Sequence, residues 1–71
     1  MARTNAQQKL GKKLKQFRTE ADMSQEMVAE LSGLDRTYVS GIERGIRNPS
    51  LRSIERLAKA LKVSVSDLTN F

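Results

Sequence analysis

The chain predicts an all-α fold of five short helices in a single domain, and three observations carry that reading. Apolar residues recur at spacings of three and four in successive stretches, and no alternation is long enough for a strand. Small polar residues, glycines and one proline fall between those stretches, where helices start and stop. The length, 71 residues, suits one domain spanning 1–71.

The elements follow in order. Residues 1–4 read as a mobile arm, with Arg3 either reaching along a polyanion or simply frayed. Asn5 is placed to cap the first helix, with Gln8 as its reciprocal partner. Leu10, Leu14, Phe17 and Ala21 make that helix's buried stripe, and Lys9, Lys12, Lys13 and Lys15 cover its other sides. Ser24 caps the second helix, where Glu26 favours the positive helix end and Val28 and Leu31 form a small stripe. Gly33 stands where a helix ends in a left-handed residue. Leu34 lies in the turn, and Asp35 caps a third helix running through Val39 and Ile42 to Gly45. In GIRNPS, Pro49 biases Asn48 away from helix, and Ser50 caps the fourth helix, whose stripe is Leu51, Ile54, Leu57, Ala58 and Leu61. Ser64 and Asp67 make a capping box for a last helix in 64–71, with Val65, Leu68 and Phe71 on one face.

Composition narrows the function. The net charge is +5 and the pI about 10.1, which suits either a polyanion partner or plain solubility. Cysteine and histidine are absent, which removes disulfides, the commonest metal ligands and the commonest general base. The expectation is therefore no catalytic residue, no metal and no cofactor. No apolar run is long enough to span a bilayer and no signal-peptide core is visible, which predicts a cytoplasmic chain. A core this small is marginal, so association with a second subunit is expected to help.

Charge is also unevenly placed. The first acid is Glu20; residues 19–35 then hold five acids and no lysine or arginine, and residues 36–62 hold seven basic residues against Glu43 and Glu55. A helix, a short turn with glycine and a second helix over 24–45 is the helix-turn-helix pattern, whose second helix enters the DNA major groove. With Val39 on the core side, a 100° step keeps Ile42, Glu43 and Ile46 near the core and turns Thr37, Ser40, Gly41 and Arg44 outwards. Arg36 in the first turn can fork onto guanine, and Thr37 and Ser40 can meet base edges. Tyr38, on the flank, either reaches DNA or packs beside the core. Gly41 is costly inside a helix; it marks a close approach of DNA, space needed by a neighbouring side chain, or a tolerated defect. Gln25, Arg44, Arg47, Asn48 and Ser50 are candidates for gripping phosphates rather than reading bases. Glu43 on the core side needs a partner, and Arg18, bordering the first helix's stripe, is the candidate.

SQEMVAELSGLDRTYVSGIERGIRNPSLRSIERLAKAL resembles the Cro-like and phage-repressor-like helix-turn-helix family, and the likeness extends over about Leu10 to Leu68. DRTYVSGIERGIRNPSL is most similar to the controller proteins of restriction-modification systems. The resemblance implies a five-helix lambda-repressor-like domain that binds a palindromic double-stranded DNA operator as a homodimer and regulates transcription. It assigns Gln25 to a phosphate, Arg36, Thr37 and Ser40 to bases, Tyr38 to DNA, Arg47 and Asn48 to the backbone, and Arg18–Glu43 to an internal ion pair. It also makes 64–71 the dimerisation element, with Val65, Leu68 and Phe71 at the interface. Met27 and Ile46 depart from the pattern, standing where a glutamate and a basic residue are usual; Ile46 weakens the phosphate grip and can pack under the loop or at the subunit boundary. The acidic second helix allows a contact from Glu26 and Glu30 to RNA polymerase, or is a solvated face. Two rival expectations remain: an antitoxin-type autorepressor that also binds a toxin, and a protein-interaction module without DNA binding.

Overall fold

Serine caps set most of the helix starts. In the computed structural model, which describes residues 5–71, the Ser24 hydroxyl accepts from the Met27 amide at 3.0 Å and that of Ser50 from the Ser53 amide at 3.1 Å. Ser64 and Asp67 exchange both bonds of a capping box, at 3.0 and 2.9 Å, and the Ser64 amide holds the Asp67 carboxyl below its ordinary range. The resulting helices are α1 (Asn5–Glu20), α2 (Gln25–Ser32), α3 (Arg36–Glu43), α4 (Leu51–Leu61) and α5 (Val65–Thr69), with no strand among the described residues. Asn5 is the first helical residue of α1. The arm expected at residues 1–4, Arg3 included, lies outside the described residues.

The helices close a ring of neighbours. α1 packs on α3 and α5, α2 on α3 and α4, and α4 on α5. Leu14, Val28, Val39, Ile42, Leu57 and Leu68 fill the centre with no exposed surface. Each of those six is worth about 1.5–3 kcal/mol of burial, so the core leans on few side chains. Gly33 and Gly45 take left-handed conformations, φ 74° and 75°, and stop α2 and redirect the chain after α3 as expected.

Several expected core positions are corrected. Ala21 is exposed because α1 ends at Glu20. Leu31 is 58% exposed because α2 turns Val28, Ala29 and Ser32 inward, about 100° away from Leu31 on the helix wheel. The buried Ser32 hydroxyl is satisfied by donating to the Ala29 carbonyl at 3.2 Å. Leu51, the first residue of α4, is 66% exposed. Ile46 is 44% exposed, because the turn at Gly45 ends the helical phase that placed it inward.

The reading of Leu68 is corrected as well. Leu68 has no exposed surface in a single protomer, so it has none to lose on association and is a core residue rather than an interface residue. Val65 is half-buried, and Phe71 lies beyond the end of α5, half-exposed beside Lys9, Lys12, Lys13 and Gln16 of α1.

Candidate nucleic-acid interface

The turn between α2 and α3 is tightly specified. After Gly33 the Leu34 amide donates to the Ala29 carbonyl at 3.1 Å and contacts the Ser32 hydroxyl at 3.3 Å. Leu34 then packs against the core. Asp35 starts α3 without a side-chain cap bond; its carboxylate accepts from the Thr37 hydroxyl at 2.7 Å instead.

α3 is anchored along one side by Val39 and Ile42 and from behind by α1. The approach of α1 is very close. A Cβ on Gly11 would run into the Ile42 carbonyl oxygen and stand 2.7 Å from that of Glu43. Sequence reasoning missed this glycine; its only signal was a glycine inside an otherwise good helix.

Arg18 and Glu43 form the pair expected from the burial argument. Nε of Arg18 donates to Oε2 of Glu43 at 2.6 Å and Nη2 to Oε1 at 3.1 Å, and the two side chains are 12% and 4% exposed. Hydrogen bonding to Glu43 raises the Arg18 pKa above its ordinary value. Two further contacts were not anticipated. Nη1 of Arg18 donates to the Met23 carbonyl at 2.8 Å, and Nε2 of Gln25 donates to Oε1 of Glu43 at 3.0 Å. One carboxylate therefore ties the end of α1, the first residue of α2 and the last residue of α3.

The outward face of α3 carries Arg36 and Thr37, both exposed, with Ser40 half-exposed, and Arg44, the residue that caps its end, is exposed as well. Gly41 is corrected: it is buried rather than outward, because the Arg47 stem lies over it. Of the two readings open to Tyr38, packing beside the core is the one seen in the free protein. Its ring is half-buried against the core, its hydroxyl donates to Ser53 at 3.4 Å, and the Arg47 guanidinium stands 5.8 Å from the ring centroid.

Two groups of polar side chains flank α3. Ser24, Gln25, Glu26, Arg18 and Arg36 line one shallow cleft beside its first turn. At the other end Arg44, Arg47, Asn48 and Ser50 are exposed around the buried Pro49. The Ser50 hydroxyl is already engaged, capping α4 and donating to Ser53 at 3.1 Å. Among the described residues, no group of three or more acids suits a metal ion. The arrangement is a short exposed rod with hydrogen-bonding and cationic side chains, held from behind and bordered by two groups of polar side chains.

A family profile described as Helix-turn-helix matches residues 14–68. The control protein C.BamHI of Bacillus amyloliquefaciens is 50% identical over 62 residues, 86% of this chain and 76% of that protein. The crystal structure of the restriction-modification controller protein C.AhdI from Aeromonas hydrophila superposes with a TM-score of 0.86 at 50% identity, over 87% of this chain and 94% of that one. The controller protein C.Esp1396I, solved as a tetramer in complex with its natural 35 base-pair operator, superposes with a TM-score of 0.86 at 40% identity, over 94% of this chain and 88% of that one.

Proposed function

The chain belongs to the helix-turn-helix family, and we propose that it is a sequence-specific regulator of transcription that binds duplex DNA as a restriction-modification controller. The observation that carries this reading is α3 itself. Its apolar side is locked into the bundle, while Arg36, Thr37, Ser40 and Arg44 remain available on the other. A helix built this way presents side chains to the major groove with little freedom left to lose. The operator complex of C.Esp1396I supports it by likeness.

The regulator acts as a homodimer on a roughly palindromic site, with its two copies of α3 about 34 Å apart in successive major grooves. Residues 64–71 supply the interface through Val65 and Phe71, while Leu68 stiffens α5 from inside. The protein works in the cytoplasm, in keeping with the absence, among the described residues, of any helix long and apolar enough to cross a membrane. No catalytic step belongs to this role.

Residues divide by task. Arg36, Thr37 and Ser40 read bases, and Tyr38 and Arg44 border them. Gln25, Arg47 and Asn48 hold the backbone, and Gln25 is oriented for this by Glu43. Operator titrations against base-pair variants at several salt concentrations test the division. Arg36→Ala removes about 1–3 kcal/mol of discrimination at one base pair, and Arg47→Ala weakens all sequences alike and flattens the salt slope by about one unit. Identical behaviour of the two variants across operators rejects the assignment.

Glu26 and Glu30 stand exposed on α2, a face with no basic residue of its own, and they contact RNA polymerase in activation. In vitro transcription at saturating operator occupancy measures this. Output drops when both are alanine while DNA affinity holds; undiminished output removes the contact.

A further inference from the structure

Gly41 is the one position of α3 expected to face outward that the structure buries. A Cβ there would collide with Cγ of Arg47 and touch its Cβ and Cδ at 3.5 Å. The neighbouring backbone fixes the root of that side chain, since the Ile46 and Arg47 amides both donate to the Gly41 carbonyl, at 3.0 and 3.2 Å. Its far end lies over Tyr38, 5.8 Å from the ring centroid. Tyr38 and Gly41, three residues apart on a helix, are neighbours on one face. The Arg47 side chain thus doubles back along α3 from a loop that follows it.

We propose that Gly41 and Tyr38 form a notch and platform on α3 that seat the Arg47 side chain before DNA arrives, which makes Gly41 a positioning residue for that cation. The inference rests on the reading that Arg47 touches DNA. Alanine suits a helix interior better than glycine does, but no Cβ fits beneath this arginine stem. An arginine already held in one geometry loses less freedom when it meets a phosphate or a base. Gly41 therefore acts on DNA through Arg47 without touching DNA itself.

Gly41→Ala, Arg47→Ala and the double variant test this. The protein has a single tyrosine, so ring-current shifts of the Arg47 side-chain protons in the DNA-free protein report the seat directly. Those shifts disappear in Gly41→Ala. Operator affinity falls about threefold in Gly41→Ala, and the same substitution changes nothing further once Arg47 is alanine, because a Cβ at position 47 is only an ordinary neighbour. Retained shifts overturn the seat, and lost shifts with unaltered operator affinity overturn its bearing on DNA. An equal loss of affinity in the Arg47→Ala background places DNA against the Gly41 backbone and also overturns it. If Gly41→Ala melts early, the double variant decides: recovery assigns the clash to Arg47, and no recovery refutes it. An Arg47→Ala variant that binds the operator like the parent overturns the DNA role of Arg47, a failure that the tyrosine shift distinguishes from loss of the seat.

Discussion

Replacing Gly11 with alanine lowers the melting temperature by roughly 10–20 °C, the equivalent of about 2–3 kcal/mol in a domain of this size. The sign is the informative part. Glycine to alanine inside a helix ordinarily gains about 1 kcal/mol. Here the new methyl would meet the carbonyl oxygens of Ile42 and Glu43, the last two residues of α3. Those atoms are backbone, the Ile42 carbonyl also held by the Gly45 amide at 3.0 Å, and cannot rotate away as a side-chain end can. α1 must lift from α3, and lifting it also draws Arg18 away from Glu43 and loosens the support of the recognition helix. Thermal melts followed by circular dichroism measure the loss. A melting temperature equal to or above that of the parent shows that the two helices do not approach as described.

The contrast between Gly33 and Gly11 shows what the sequence makes legible. A left-handed helix stop is a local event, so the position of Gly33 after a periodic run was enough to assign it. Gly45 was readable for the same reason, and so were the serine caps. Lys62 also takes a left-handed conformation, φ 59°, but no glycine marks that stop, so it left no trace in the sequence. Gly11 and Gly41 matter because of a partner from elsewhere in the chain, and no local pattern contains that partner. The helix wheel turned Gly41 outward correctly as far as α3 alone is concerned; the loop beyond α3 then covered it.

The same distinction applies to the core and the site. The ion pair of Arg18 and Glu43 was legible because a lone inward carboxylate has to be compensated and few cations border the first stripe. The contact of Gln25 with Glu43 was not, since a glutamine at a helix start has no comparable need. Leu31 and Leu51 illustrate the opposite error. Their spacing fits a stripe, but whether a position is covered depends on where neighbouring helices end. The resemblance makes Leu68 an interface residue, whereas α1 and α4 both pack on α5 and bury it within the protomer.

Glu43→Ala destabilises the fold by about 3–5 kcal/mol, a large share of the 5–15 kcal/mol available to a small domain. Both carboxylate oxygens disappear together, leaving Arg18, 12% exposed, and the Gln25 amide without their acceptor. Arginine cannot escape by losing its proton, so the charge stays in place and must draw water or rearrange. Its remaining bond to the Met23 carbonyl keeps the loss towards the lower end of that range. Chemical denaturation measures the change, and a midpoint equal to the parent's contradicts the pair's burial. A second variant separates stability from function. Arg18→Met with Glu43→Leu fills the same space with apolar atoms and restores most of the stability, as replacement of buried ion pairs by hydrophobic groups often does. It does not restore an acceptor for Gln25. If the carboxylate serves chiefly to hold α1 against α3, operator affinity recovers with stability. If it also aims Gln25 at a phosphate, affinity remains several-fold weaker in a protein that is folded again. The hydrogen bond of 3.0 Å between Gln25 and Glu43 leads us to expect the second result.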